Sequence, residues 1–286
     1  SALLQNDALA AVQKASPVPV AVAVDDEGGR VQRIDALDGS LPSARTMAGT
    51  KTPEQVRAIA KKRAEQLKAR GVTIDFAPDA DVSDQPADAV IGDRSFSNDP
   101  AVVTKYAQAF AQGLEDGGIV GTLKHFPGHG HSTGDSHKGR VSVPPLDQLR
   151  RADLLPYRDL VGPGKPLYGT KIAVMVGHLD VPGLTTDLPS SLTPAVYQLL
   201  RDQYGFGGMV VTDDLGAMKA ISAQFTVPQA TVRALAAGAD MALSSDITSP
   251  GPVLDALEKA LADGTISAAD NDAAVARILT NKGLCG

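Results

Sequence analysis

Six short runs rich in valine and isoleucine recur along the chain and alternate with segments that carry helical signals. The runs are apolar at most positions, which is typical of strands buried on both faces of a parallel sheet. Such regular alternation predicts parallel strands joined by helical crossovers, so the fold is either a (β/α) barrel or an open doubly wound sheet. The predicted strands cover residues 18–24, 72–77, 119–124, 171–177, 208–212 and 240–243.

Capping residues and prolines mark where the helices between these strands begin. Thr52-Pro53-Glu54-Gln55 supplies an N-cap, a proline in the first turn and the glutamine of a capping box, and Gly71 ends the same helix. Asp99-Pro100 and Thr193-Pro194 open two further helices in the same way. Later helices are predicted over residues 229–237, 253–261 and 273–279.

Polar side chains follow the predicted strands at their carboxyl ends. A barrel assembles its active site from these ends, whereas an open sheet concentrates polar residues near one switch point, so the pattern favours the barrel. We therefore predict an α/β fold, a (β/α)8 TIM-like barrel forming one domain over residues 1–286. Because six strands fall short of eight and the chain opens inside a helical pattern, we expect the first strand–helix unit to be missing from this chain. The strand-end residues are Asp25, Asp79, Asp81, Lys124, His125, His178, Asp213, Asp214, Ser244 and Asp246.

Charge, hydropathy and cysteine content exclude several classes of protein. The net charge of −6 comes from interspersed acidic and basic residues, and no clustered basic surface suited to nucleic-acid phosphates is evident. The most basic stretch, residues 61–70, falls on a predicted helix and is interpreted as a solvated face. No apolar run reaches the roughly 18 residues that a membrane span needs. Cys285 is the single cysteine, so it is either a free thiol or paired with a cysteine outside this chain.

Four of the five histidines fall within residues 124–137, in a glycine-rich stretch that leaves the third predicted strand. Histidines in such a loop bond loop backbone groups, bind a transition metal or transfer protons. The metal site is disfavoured because the two-histidine helical spacing and the cysteine pairs of zinc sites are missing, so no metal is predicted. Proton transfer is favoured at Asp135-Ser136-His137, where a carboxylate two residues away can orient the imidazole.

Two adjacent carboxylates, Asp213 and Asp214, follow the fifth predicted strand. Isolated charge beside a buried strand is costly, so the pair needs a structural or a chemical reason. An aspartate in this place can cap the helix that follows, and that alternative fits Asp214 better than Asp213. Functionally, an aspartate at a barrel strand end can attack an anomeric carbon and form a glycosyl–enzyme ester, and Asp213 is the candidate.

Two polar loops combine carboxylates with arginines. The first runs from Asp25 to Arg33 and reads Asp-Asp-Glu-Gly-Gly-Arg-Val-Gln-Arg, and the second, residues 91–96, carries Arg94. Carboxylates accept and arginines donate the hydrogen bonds that sugar hydroxyls need. Taken alone, the first loop is better explained as a structural salt-bridged turn.

In combination, these motifs resemble glycoside hydrolase family 3, and within it the bacterial β-N-acetylglucosaminidases. The likeness runs in order through nearly the whole chain: the Asp-x-Glu-Gly-Gly-Arg-Val-Gln-Arg turn, Ile-Gly-x-Arg-Ser-Phe, Lys-His-Phe-Pro-Gly-His-Gly, Asp-Ser-His, and Thr-Asp-Asp-Leu followed by Ala-Met. The resemblance implies a barrel enzyme that cleaves with retention through a covalent intermediate. It implies that Asp213 is the nucleophile and that His137, partnered by Asp135, is the general acid–base. Binding of the terminal sugar is implied for Asp25, Arg33, Arg94, Lys124 and His125.

The same resemblance implies what the protein does. We expect a monomeric, cofactor-free exo-hydrolase that releases terminal N-acetylglucosamine from peptidoglycan fragments, at the cell envelope in secreted or lipid-anchored form or else in the cytoplasm. A histidine acid does not repel an anionic acceptor as a carboxylate would, so a phosphorylase is an alternative, and a non-catalytic cell-wall sugar-binding protein is another. Asp26 stands where the family usually has glutamine, and we expect it to add a negative charge beside Asp25.

Overall fold

The computed structural model describes residues 2–5, 8–245 and 250–285. Asp246, predicted to follow the sixth strand, lies outside the described residues. The strands are β1 (Ala23–Val24), β2 (Ile74–Asp75), β3 (Val120–Phe126), β4 (Val141–Ser142), β5 (Ala173–Val176), β6 (Leu179–Asp180) and β7 (Met209–Thr212).

Helices lie before, between and after these strands. The α-helices are α1 (Ala2–Gln5), α2 (Ala8–Ala15), α3 (Asp35–Asp38), α4 (Ala44–Thr50), α5 (Pro53–Ala69), α6 (Pro100–Asp116), α7 (Leu146–Leu149), α8 (Leu155–Leu160), α9 (Pro194–Gln198), α10 (Lys219–Ser222), α11 (Val227–Ala237), α12 (Gly251–Ala262) and α13 (Ala268–Asn281). Gly92–Arg94 and Ser190–Leu192 form 3-10 turns, and Leu199–Gln203 forms a π-helical turn. Within the described ranges, no helix is both long and apolar enough to cross a bilayer.

The main sheet is parallel, and its strands lie in the order in which they occur along the chain: β1, β2, β3, β5, β7. Met241 extends the sheet beyond β7 through a parallel bridge to Val211. A doubly wound sheet reverses its strand order at a switch point, whereas a barrel adds each new strand to the same edge. The TIM-like class is therefore confirmed, although the main sheet has, within the described residues, five strands and a bridge rather than a closed ring of eight.

Side chains along the strands alternate between two apolar clusters, as the period of two in a β-strand requires. Val174 packs towards the helices, and Met175 packs on the opposite face. The cluster on that opposite face also takes in Ala21 and Met241 from the two edges of the sheet and Ile278 of α13. Because both edges contribute to one cluster, the sheet is curled and this face is concave.

Several predicted strand boundaries are wrong. The first strand is confined to β1, and the sixth is reduced to the bridge at Met241. β3 continues to Phe126, so Lys124 and His125 lie inside the strand rather than after it. The register of β3 against β5 shifts in this stretch, and such an irregularity re-aims consecutive side chains. The pairing of β4 with β6 had no signal in the sequence pattern.

The helix starts agree with the capping signals. Thr52 accepts from the Gln55 amide and the Gln55 side chain accepts from the Thr52 amide, which is the complete capping box. α11 starts two residues before its predicted position, behind a second capping box formed by Thr226 and Gln229. One basic residue of the stretch 61–70 is not solvated, because Arg63 of α5 is buried. The interpretation of residues 61–70 as a solvated face is therefore wrong for Arg63.

Candidate active site

Lys124 lies at the centre of a row of alternating charges at the carboxyl ends of the strands. Its ammonium donates to Oδ1 of Asp25 at 2.8 Å and lies 2.6 Å from Oε1 of Glu27. Burial acts to lower the pKa of Lys124, but the two carboxylates raise it above its ordinary value, so the side chain stays charged. Two of its three N–H donors are thus engaged, and one remains for a ligand. Arg33 lies at the rim, half exposed, 3.9 Å from Oδ2 of Asp25.

Arg94 extends the row on the other side of Glu27. Its Nε and one Nη donate to the two oxygens of Glu27 at 2.8 and 2.7 Å, and the other Nη donates to the Val90 carbonyl at 3.1 Å. The Nη that bonds Glu27 also lies 3.5 Å from Nε2 of His125. The guanidinium is therefore fixed in place before any ligand arrives, and few of its donors are left free.

Glu27 is the site residue that sequence reasoning missed. It is 5% exposed and is the carboxylate shared by Arg94 and Lys124. Burial acts to raise the pKa of Glu27, but the two cations hold it well below its ordinary value, so the carboxylate is ionised. The signal for it was its place directly before Gly28-Gly29, where positive φ angles of 97° and 57° turn the chain back on itself.

Asp26 does not add charge beside Asp25, contrary to expectation. Its side chain is fully buried, and its Oδ2 accepts from the backbone amides of Arg33 at 2.7 Å and Ile34 at 3.2 Å. Its Oδ1 lies 3.4 Å from Nε of Arg63, which is also fully buried. Asp26 therefore braces the turn that carries Arg33 and ties that turn to α5.

Asp81 orients His125. Its Oδ2 accepts from Nδ1 of His125 at 2.8 Å, and its Oδ1 accepts from the backbone amide of His129 at 2.6 Å. Oxygen and nitrogen atoms of Asp79, Asp81 and His125 lie within 4.8 Å of one another, as metal ligands do. The guanidinium of Arg94 lies 3.8 Å from Asp79, so positive charge already occupies this cluster and opposes a cation there. That the protein needs no metal stays a prediction.

Asp213 follows β7, and its charge interacts with those of His125 and Lys124 in this cluster. Its amide donates to the Val176 carbonyl at 2.9 Å, and its Oδ1 accepts from the Asp214 amide at 2.9 Å. Burial acts to raise the pKa of Asp213, but the charges of His125 and His178, the hydrogen bond from the Asp214 amide and, least, the charge of Lys124 bring it below its ordinary value. The carboxylate is consequently ionised near neutral pH, as a nucleophile must be.

Asp214 has the capping role that the sequence suggested for it. Its Oδ1 accepts from the amides of Gly216 at 2.8 Å and Ala217 at 3.1 Å, which caps the turn after the strand. His178, fully buried, donates from Nε2 to the Asp214 carbonyl at 3.0 Å and accepts at Nδ1 from the Ser191 hydroxyl at 2.7 Å. These contacts fix the backbone on which Asp213 stands.

The acid–base loop, residues 127–140, carries Asp135 and His137. Nδ1 of His137 donates to Oδ1 of Asp135 at 3.0 Å, which leaves Nε2 free to exchange a proton with a ligand. The imidazole is 65% exposed. Burial acts to raise the pKa of Asp135, but its hydrogen bonds from His137 hold it below its ordinary value. The two side chains form the orienting pair that the sequence predicted.

The structure thus forms two groups of predicted residues. Asp25, Arg94, Lys124 and His125 make one contiguous cluster with Arg33 at its rim. The Asp135–His137 pair stands apart, and in the described part of the chain the ring of His137 bonds Asp135 alone. The pair joins the Asp213 region through the backbone, because the amides of Lys219 and Ala220 donate to the His137 and Ser136 carbonyls.

His129 should make the protein less stable in mild acid. Burial lowers its pKa from 6.5 to about 4, so below pH 6.5 the unfolded chain binds a proton that the folded chain excludes. The free energy of unfolding is therefore expected to fall by up to about 3 kcal/mol as the pH drops from 6.5 to 4. Urea denaturation of the protein and of His129→Asn at pH 7 and pH 4.5 measures this, and the variant should show a weaker pH dependence.

His131 provides the control of opposite sign. Its ring donates to Asp153 at 2.9 Å, and that hydrogen bond raises the pKa of His131. A raised folded pKa gives stability that is fully present below the unfolded pKa and is lost as the pH rises through the folded pKa. His131→Gln should therefore lose more stability at pH 4.5 than at pH 7. Equal pH dependence in both variants and the parent would contradict the assignment.

Comparison with known proteins places this chain among glycosidases. The model of the glycosyl hydrolase family 3 N-terminal domain matches residues 1–281. A relative named β-hexosaminidase LpqI from Mycobacterium tuberculosis is 51% identical over 273 residues, which are 93% of this chain and 69% of the relative. A crystal structure of a family 3 member from Mycobacterium smegmatis is 51% identical with a TM-score of 0.92, covering 99% of this chain and 85% of the other. A β-N-acetylglucosaminidase of this family from Paenibacillus is 34% identical with a TM-score of 0.86, covering 93% and 50% of the respective chains.

Proposed function

This chain belongs to glycosyl hydrolase family 3 and is a glycoside hydrolase, and we propose that it removes terminal β-linked N-acetylglucosamine with Asp213 as nucleophile and His137 as acid–base. The observation that carries the proposal is an ionised Asp213 whose charge interacts with His125 and Lys124, with the Asp135–His137 pair hydrogen-bonded through its backbone to the segment that follows Asp213. The β-hexosaminidase and β-N-acetylglucosaminidase names of the relatives support the sugar.

In the first step a carboxylate oxygen of Asp213 bonds to the anomeric carbon as the bond from that carbon to the leaving oxygen breaks. Nε2 of His137 gives its proton to the leaving oxygen. In the second step water attacks the same carbon, His137 takes a proton from that water, and the carboxylate of Asp213 is released. Two inversions at one carbon give net retention of configuration.

The terminal sugar is held by the alternating charges. Asp25 offers acceptor oxygens, while Lys124 and Arg94 offer the donors that Glu27 leaves unused. Sugar hydroxyls need both kinds of partner. His125, oriented by Asp81, is the residue of the cluster whose charge interacts most strongly with Asp213.

Proton NMR of the first product formed from an aryl β-N-acetylglucosaminide tests the reaction. We expect the β-anomer of N-acetylglucosamine to appear before mutarotation. First appearance of the α-anomer would exclude the nucleophilic role of Asp213, and absence of turnover would favour the sugar-binding alternative.

A phosphorylase reaction is the second candidate, and the acid–base residue favours it. His137 is neutral when it acts as a base, so it does not repel phosphate as a carboxylate would. Lys138 adds a positive charge 3.6 Å from Asp135. The same reaction run with inorganic phosphate decides the matter, because a phosphorylase forms N-acetylglucosamine 1-phosphate and a hydrolase does not.

We also propose that the substrate is a peptidoglycan fragment and that the protein is located at the cell envelope. The family resemblance supports both. A single domain over residues 1–286 and a monomeric state likewise stay predictions. Digestion of purified peptidoglycan fragments, followed by mass spectrometry of the released sugar, tests the substrate directly.

Replacing Glu27 by glutamine should damage both binding and stability. The neutral amide leaves two buried cations, Arg94 and Lys124, without their shared counter-charge. Because breaking a buried ion pair costs about 3–5 kcal/mol, we expect a clearly lower free energy of unfolding and a kcat/KM about 100-fold lower, mostly through a higher KM. Glu115→Gln, the same change on an exposed helical residue, should alter neither quantity. An unchanged KM in Glu27→Gln would contradict the role given to this carboxylate.

A further inference from the structure

Ser136 lies between the two residues of the acid–base pair but faces the opposite way. Its side chain is buried, with the residue 1% exposed, whereas the neighbouring imidazole of His137 is 65% exposed. The hydroxyl lies 3.2 Å from Nε2 of His129, a residue that is itself 2% exposed. A buried contact therefore sits at the centre of a loop whose reactive side chain points to solvent.

The hydrogen-bond network fixes the direction of this contact. The hydroxyl of Ser132 donates to the Gly134 carbonyl at 3.0 Å, so its oxygen accepts from Nδ1 of His129 at 2.9 Å. With Nδ1 protonated, Nε2 of a neutral His129 is an acceptor, and the Ser136 hydroxyl donates to it. The low pKa of His129 keeps this arrangement intact throughout the neutral range.

His129 is in turn anchored to the sugar cluster. Its backbone amide donates to Oδ1 of Asp81, whose other oxygen accepts from His125. The rings of His125 and His129 meet edge to face with centroids 5.7 Å apart. A continuous set of buried contacts thus runs from His125 through Asp81 and His129 to Ser136.

We propose that the Ser136–His129 hydrogen bond positions the acid–base loop. It holds Asp135 and His137 in a fixed position relative to the cluster of Asp25, Arg94, Lys124 and His125. Ser136 and His129 are positioning residues, since neither contacts the reacting atoms. The inference rests on the proposed function, because it presumes that His137 is the proton donor. A loop displaced by about 1 Å loses proton transfer steeply, whereas attack by Asp213 on an activated substrate does not depend on the loop.

Leaving-group dependence separates positioning from general structural damage. We would measure kcat/KM, which reports the first step alone, of Ser136→Ala and His129→Asn on a methyl β-N-acetylglucosaminide and on its 2,4-dinitrophenyl counterpart, with circular dichroism to verify folding. Asparagine retains a side-chain amide near the place of Nδ1, so it keeps the contact to Ser132 and deletes the one to Ser136. Each variant should be about tenfold slower on the methyl glycoside and within about twofold of the parent on the activated one. The double variant should be no slower than the worse single variant, because both changes delete one bond.

Ser267→Ala is the matched control. It removes the same hydroxyl from the N-cap of α13, where Ser267 accepts from the Asp270 amide, away from the active-site cluster. It should lower stability without changing the ratio of the two rates. Equal slowing of both substrates by Ser136→Ala, or no slowing of either, would overturn the inference. If His137→Ala itself shows no leaving-group dependence, the proposed acid role fails instead, so the two failures are distinguishable.

Discussion

Replacing Asp213 by asparagine is expected to lower kcat on an aryl β-N-acetylglucosaminide by on the order of 10⁴-fold or more. Asparagine has the same shape and can still accept from the Asp214 amide, so the turn after β7 should keep its conformation. It has no charged oxygen to bond the anomeric carbon, and the covalent route is lost. Initial rates together with thermal denaturation measure both effects, and we expect the melting temperature to change little.

Asp214→Asn is the control at the next position. Its Oδ1 caps the Gly216 and Ala217 amides, and an asparagine oxygen can accept the same bonds. We expect kcat to fall by less than about tenfold, since no covalent step passes through this residue.

Treatment of the parent with a fluorinated N-acetylglucosaminide should place the added sugar mass on the peptide that contains Asp213. A label found on a different carboxylate would refute the assignment.

Replacing His137 by alanine is expected to slow substrates according to their leaving groups. General acid catalysis contributes about 10²–10⁴-fold, and a methyl glycoside needs all of it because its leaving oxygen must be protonated. A 2,4-dinitrophenyl glycoside needs little, because its leaving group departs as a stable anion. The ratio of kcat/KM for the two substrates, compared between parent and variant, measures the contribution of proton transfer from His137, because kcat/KM excludes the second step in which His137 acts as the base.

His131→Ala is the matched control in the same loop. The ring of His131 is 32% exposed and is hydrogen-bonded to the buried Asp153, an arrangement that resembles the Asp135–His137 pair. We expect it to affect both substrates to the same small extent. If His131→Ala gave the leaving-group dependence and His137→Ala did not, the acid–base role would belong to the other histidine.

The order of elements was predictable because its signals are local. Proline, capping residues and runs of Val and Ile act within a few residues, and the capping box at Thr52 appears as expected. Parallel strands joined by helices then favour chain order in the sheet, which the structure has. The boundaries were less predictable, because residues 18–22 are as apolar as β1 but make few ladder hydrogen bonds.

The candidate site was predictable in composition but not in arrangement. The sequence supplied three consecutive carboxylates, Asp25, Asp26 and Glu27, and suggested that Asp26 adds charge to the site. The structure instead turns Asp26 into the protein, where it meets Arg63, and turns Glu27 towards Lys124. Of the three, only Asp25 lies where the sequence predicted it, among the polar residues at the strand ends.

The amino-acid sequence by itself determined the class of fold, the strand order and the chemical groups available at the strand ends. Only the tertiary structure decided which of those groups meet: Glu27 with Lys124, Asp26 with Arg63, and Ser136 with His129. The physical reason is that side chains in strands and helices point with a fixed period, whereas each residue of a turn takes its own backbone angles. Which way a turn residue faces then depends on partners that are distant in the chain, and no local pattern encodes them.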